Sequence, residues 1–145
     1  YQNNRANEVN KSIMAMNSKK QIAYLVPKTT TLKCDENMCF DFINKGNSFG
    51  IIRLVTLQKN GEIILQKAME EFVDCDTEYK FDSHLKIKDE NEDLRITIEF
   101  LIQNPFEYEY TEKIIMDFDL EYKDEFISFK QKKFNIVFRN SKEAF

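Results

Sequence analysis

Four side chains of the kinds that bind zinc occur in this chain: Cys34, Cys39, Cys75 and His84. Their types suit a tetrahedral site, but Cys-x4-Cys is loose and the second pair is Cys-x8-His, so type is present without the usual spacing. The plainer reading is a set of small thiols, with Cys39 acting as a hydrophobe inside an apolar run, and an exposed or satisfied histidine. Asp117, Asp119 and Glu121 alternate along one segment and would line one strand face, about 7 Å apart. Such a row binds calcium only if loop oxygens complete six to eight ligands; otherwise it is a solvated outer face. The acidic run DENED at 89–93 lacks the glycine and spacing of a calcium loop. Nucleophilic chemistry has less support. There is no Gly-x-Ser-x-Gly, and His84 is the only imidazole. Ser83 beside it alternates to the opposite side of a strand, and nothing marks a third group to orient a Cys75–His84 pair. Three glycines in 145 residues cannot build a phosphate-cradling loop or a dinucleotide fingerprint. The residues therefore point away from an enzyme, and they call for no metal and no cofactor.

The bulk properties bound the alternatives. A chain of 145 residues is long enough for one domain with a real core. Its 42% hydrophobic and 32% charged content is globular rather than disordered. Thirteen Phe and six Tyr supply the large apolar surfaces. A net charge of −4 opposes a nucleic-acid partner, which needs a clustered basic face. No stretch reaches the ~18 apolar residues of a membrane span, and no signal peptide is visible. The chain opens at Tyr1 rather than Met, so the expectation is a processed or trimmed N-terminus with any anchor lying upstream. Three cysteines do not form a disulfide framework, so a reducing compartment is favoured. A Cys34–Cys39 bridge is the alternative in an oxidising one.

The elements that would position these groups are mostly strands. Residues 5–17 place Ala6, Val9, Ile13 and Met16 at helical spacing and predict a thin helix, a stalk or partner-docked segment. A frayed terminus is the competing reading. From Thr29 onward the period shortens to two. TTTLKC (29–34) and CFDFIN (39–44) read as strands. GIIRLVTLQKNGEIILQK (50–67) predicts a hairpin, because Asn60-Gly61 is the pair preferred in a type I′ turn. AMEEFVDCD (68–76) is expected to form a short helical turn or crossover, and EYKFDSHLKI (78–87) one broken strand or two short ones. LRITIEFLI sets Leu94, Ile96, Ile98, Phe100 and Ile102 inward. KIIMDFDLEY does the same with Ile114, Met116, Phe118, Leu120 and Tyr122. FISFKQKKFNIVF (126–138) closes the fold. Gly46 and Gly50 bracket a loop around Asn47 where positive φ or close backbone approach excludes a Cβ, and Gly50 is equally consistent with a bulge. Together these imply an all-β sandwich of seven or eight strands, divided as a stalk or linker over 1–20, a sandwich over 21–140 and a tail over 141–145.

Two surface features stand out. FEYEY (106–110) places Phe106, Tyr108 and Tyr110 on one side of an extended segment. That side is either core or, on an edge strand, a candidate surface for a protein partner. Lys130, Lys132 and Lys133 are expected to blunt an edge against aggregation.

The order of three short motifs resembles a loose group of small bacterial membrane-associated proteins of unknown function. These motifs are IAYLVP (22–27), NKGNS (44–48) and YKDEFISFKQKKFNIVF (122–138). At the first, Ala23 stands where the group more often has proline. After the second, Phe49-Gly50 replaces the more usual Pro-Ala. The resemblance implies an upstream transmembrane anchor, a stalk helix, an immunoglobulin-like sandwich and no known catalytic residue. The expected role is a non-enzymatic interaction module at a membrane, on either side of it, acting in adhesion, assembly or sensing. The alternative is a minor pilin or pseudopilin-like subunit of an extracellular filament, with residues 1–25 as a helix remnant.

Overall fold

The computed structural model of the protein describes residues 22–33, 36–86, 94–104, 108–123 and 126–140. The expected stalk helix, Cys34, the acidic run at 89–93, Phe106 and the C-terminal tail lie outside them. The described residues form nine strands: β1 Leu25–Pro27, β2 Thr31–Lys33, β3 Asn37–Asn44, β4 Gly50–Lys59, β5 Glu62–Val73, β6 Glu78–Lys86, β7 Leu94–Gln103, β8 Tyr108–Lys123 and β9 Phe126–Asn140. They build two antiparallel sheets. One has the order β1-β3-β6, the other β2-β9-β8-β7-β4-β5.

Two-residue periodicity explains both sheets. In β7, Leu94, Ile96, Ile98, Phe100 and Ile102 are all buried, at 5% exposure or less, and in β8 Ile114, Met116 and Phe118 follow the same rule. Phe40 and Phe42 of β3 turn inward from the smaller sheet and close the layer between the two. Phe42 meets Phe100 edge-to-face with centroids 5.1 Å apart, and Phe40 meets Phe118 at 6.4 Å. The hairpin between β4 and β5 turns at Asn60 and Gly61, whose φ values of 51° and 87° are those of a type I′ turn.

Two expectations change. The segment 68–73 is neither helical nor a crossover: it completes β5, a 12-residue edge strand paired only with β4 among the described residues. Its scattered acidic and apolar residues hid the period, because an edge strand is wet on both faces for much of its length. EYKFDSHLK is one strand, and the break suspected there is a local kink at His84, φ 57°, whose N–H is taken up by Asp82 Oδ1 at 2.8 Å.

The contact between Phe42 and Phe100 spans the two sheets, so truncating either ring opens a cavity where neither layer can collapse. Phe42→Ala and Phe100→Ala are each expected to cost about 3–5 kcal/mol of unfolding free energy in urea titrations. The double variant should cost less than the sum by about 1 kcal/mol, the worth of the ring pair itself. Strict additivity would show that the rings do not support each other.

Candidate functional site

The residue set that departs most from a plain apolar sandwich surrounds residues 22–25, where the chain enters the fold. β1 hydrogen-bonds to β3 along one side only. Among the described residues no strand pairs along its other side, so its outward N–H groups need partners from elsewhere. Side chains supply them. Leu25 N–H lies 2.9 Å from both carboxyl oxygens of Glu112 on β8. Tyr110, two residues earlier on the same strand face, directs its phenol at the Ala23 backbone. Ile22 N–H donates to Asn47 Oδ1 at 2.9 Å, and Tyr24 N–H to Asn44 Oδ1 at 3.2 Å.

Asn44 is the knot of this arrangement. It is 0% exposed. Besides Tyr24, its Oδ1 accepts from Gly46 N–H at 2.9 Å, while its Nδ2 donates to the carbonyls of Ser48, Val73 and Asp74 at 2.9, 3.2 and 3.1 Å. One amide thus joins β1, the β3–β4 loop and the β5–β6 turn. The glycines of the same loop let the entry strand approach. A Cβ on Gly46 would stand 2.0 Å from Ile22 O. One on Gly50 would meet Ala23 Cβ at 2.9 Å and Ile102 Cγ2 at 2.7 Å. Close approach, not a positive φ, is what these two positions require. Cys75 adds a further tie: its thiol donates to Gly46 O at 2.9 Å.

Among the described residues Glu112 has no cation beside it. It is fully buried, and on its own face of the sheet it lies opposite Phe100 and Ile136. Burial pushes its carboxyl well above the ordinary carboxylate range, and the Leu25 N–H opposes only part of that. The Tyr110 phenol is likewise pushed up, by burial first and by Glu112 second. Both shifts favour the neutral forms, which cost less to bury than the charged ones.

The other candidate groups do not converge. Cys75 precedes β6 and His84 lies near its end, roughly 25 Å apart along an extended strand. Cys39 sits beside Asp82 at the His84 end. Both described thiols are free and are pushed up, first by burial and then by acidic neighbours, which disfavours a thiolate. Among the described residues no group of three or more His, Cys, Asp or Glu is placed to hold a metal ion. Asp117, the described member of the acidic row, is engaged by Arg95 Nε at 2.7 Å and Lys132 Nζ at 3.7 Å. These three border a shallow groove of about 720 Å³ on the outer face of the larger sheet, with Lys113, Thr97 and Gln58.

Tyr110, grouped in the sequence with Phe106 and Tyr108 as a candidate contact surface, is 0% exposed. It belongs to the core because it shares the inward parity of Ile114, Met116 and Phe118. The sequence reading passed over Glu112, although that parity carried two residues upstream places it on the same buried side. Asn44 and Asn47 lay inside the NKGNS motif, but nothing local in the sequence announced which backbone groups they would hold.

No family model, curated protein or solved structure matches this chain. No helix among the described residues is long and apolar enough to cross a membrane.

Two outcomes follow from this geometry. Gly46→Ala forces the loop away from Ile22 and is expected to cost about 2 kcal/mol or more, as overpacking against backbone does; unchanged urea stability would show that the loop has room. Glu112 binds its proton more tightly folded than unfolded, so its contribution is fully present below the unfolded carboxyl pKa. It is lost as pH rises through the raised folded value. Glu112→Gln keeps the Leu25 bond without the proton, so stability relative to the parent protein should grow with pH above about 4.5, the unfolded carboxyl range. Parallel stability curves across pH would contradict this.

Proposed function

We propose that this chain is a non-enzymatic interaction module, an immunoglobulin-like β-sandwich held at a membrane by a segment preceding Ile22, acting by surface contact in adhesion, assembly or sensing. The observation that carries the reading is the entry clamp. Three backbone N–H groups between Ile22 and Leu25 are held by side chains from three other parts of the fold, Asn47 of the β3–β4 loop, Asn44 of β3 and Glu112 of β8. The buried donors of this three-residue strand need partners in any case, and the same clamp fixes the point at which a preceding segment would pass position or load to the sandwich.

Strand order supports the immunoglobulin-like part. The smaller sheet β1-β3-β6 follows the A-B-E order of such domains, and β5-β4-β7-β8 follows C′-C-F-G. In that correspondence Phe42 and Phe100, which touch across the two sheets, fall on the strands matching B and F, the pair that a disulfide links in antibody domains. β9 and β2 extend the larger sheet beyond the last strand of that plan. The motif resemblance supports the membrane part, since NKGNS and IAYLVP are the two segments that meet at the clamp.

Fractionation of cells expressing the full-length protein tests the reading. The protein should sediment with membranes, resist extraction by carbonate and be released by detergent. Recovery in the soluble fraction would overturn membrane presentation.

A further inference from the structure

β5 is the open edge of the larger sheet. Its 12 residues pair with β4, and among the described residues nothing pairs along its other side. Ile63 and Phe72 on this strand are each 57% exposed. An edge of this length normally carries charges that repel a second strand. The strand carries Glu62, Lys67, Glu70 and Glu71; Glu70 is held by Arg53 at 3.4 Å, and Lys67 and Glu71 stand symmetrically about Met69, two residues before it and two after. Among the described residues neither Lys67 nor Glu71 forms an ion pair within the chain.

The facing of these side chains is set by β4. Leu65 lies opposite Leu57, Lys67 opposite Val55, Glu71 opposite Ile52 and Val73 opposite Gly50, all on the core side. Met69, which accepts a contact from the Tyr79 hydroxyl at 3.4 Å, shares that side. Gln66, Ala68 and Phe72 lie opposite Thr56, Leu54 and Ile51 on the outer side. A twofold axis normal to the sheet keeps inner face with inner face and runs the two β5 strands antiparallel. Centred on Met69, it sets Lys67 against Glu71 of the second copy, twice. It also sets Leu65 against Val73 and Met69 against its own counterpart. On the outer side Gln66 meets Phe72. Directly opposed residues lie about 5 Å apart at the Cβ atoms, so both ion pairs and all three apolar pairs close together, at a point where the β4 pairing slips and leaves the outer edge at Met69 and Glu70 without a β4 partner. Shifting the axis to Lys67 would oppose two lysines. Shifting it to Ala68 would set Leu65 against Glu71.

We propose that a second copy of this chain adds to the β5 edge in this register, joining two larger sheets into one continuous sheet of twelve strands, twice the six of each copy. The occupant is the chain itself because the charge pattern is complementary to its own image about Met69 and the strand contributes the same nine positions, 65–73, from each side. This inference stands apart from the membrane reading.

Sedimentation equilibrium of the protein, with exchanged-charge variants, tests it. The parent protein should be dimeric. Lys67→Glu turns both ion pairs into repulsions and should weaken the dimer about tenfold or more, and Glu71→Lys should do the same. The double exchange Lys67→Glu with Glu71→Lys should restore the dimer, because each pair is then reversed rather than lost. Far-UV circular dichroism confirms that each variant is folded, as expected for side chains on an exposed edge. A parent protein monomeric up to about 1 mM, a dimer indifferent to the single exchanges, or a double exchange no stronger than the singles would each overturn the proposal.

Discussion

A backbone donor buried without a partner is costly, and at the entry of this fold the usual partner, a neighbouring strand, is missing. Among the described residues β1 has β3 on one side and no strand on the other. The structure answers with Glu112 and Tyr110, two polar side chains set in an otherwise apolar row of β8. They stand in for a strand edge. Much of the rest follows. The carboxyl must sit deep to reach Leu25, depth raises its affinity for a proton, and among the described residues it lies against Phe100 and Ile136 with no cation beside it. The NKGNS loop then secures the same strand from the opposite side through Asn44 and Asn47.

That division also explains how the two sheets keep their relative placement. Aromatic contacts such as Phe42 with Phe100 are strong but weakly directional, since many offsets satisfy a ring edge against a ring face. Hydrogen bonds from Asn44 and Glu112 are directional and span elements distant in sequence, Leu25 to Glu112 by 87 positions and Asn44 to Asp74 by 30. Apolar burial supplies the larger share of stability, while these buried polar groups select one arrangement from the many that burial alone would permit.

Much of the fold was legible in the sequence, and for a physical reason. A strand buried on one face writes its period into the chain, so β7 reads directly from Leu94 to Ile102 and the hairpin from Asn60-Gly61. β5 did not read, because an edge wet on both faces imposes no period. The clamp read only in part. Gly46 and Gly50 signalled a tight approach, but what approaches them, Ile22 and Ala23, arrives from more than twenty residues away. Glu112 hid for the converse reason: a carboxylate in an alternating run is taken for the wet side, and only the phase of its neighbours reveals that it is not. Tyr110 takes the core alternative that FEYEY left open, and the phase of β8 rather than that segment alone decides it.

The account depends on residues 22–25 being part of the folded body rather than a strand resting on its surface. Site-resolved amide hydrogen exchange of the full chain tests this most directly. If the clamp holds, the Tyr24 and Leu25 amides, held by Asn44 and Glu112, exchange only through global unfolding, with protection equal to that of Phe100 in the middle of β7. Exchange of those two amides through a local opening, far faster than at Phe100, would contradict it.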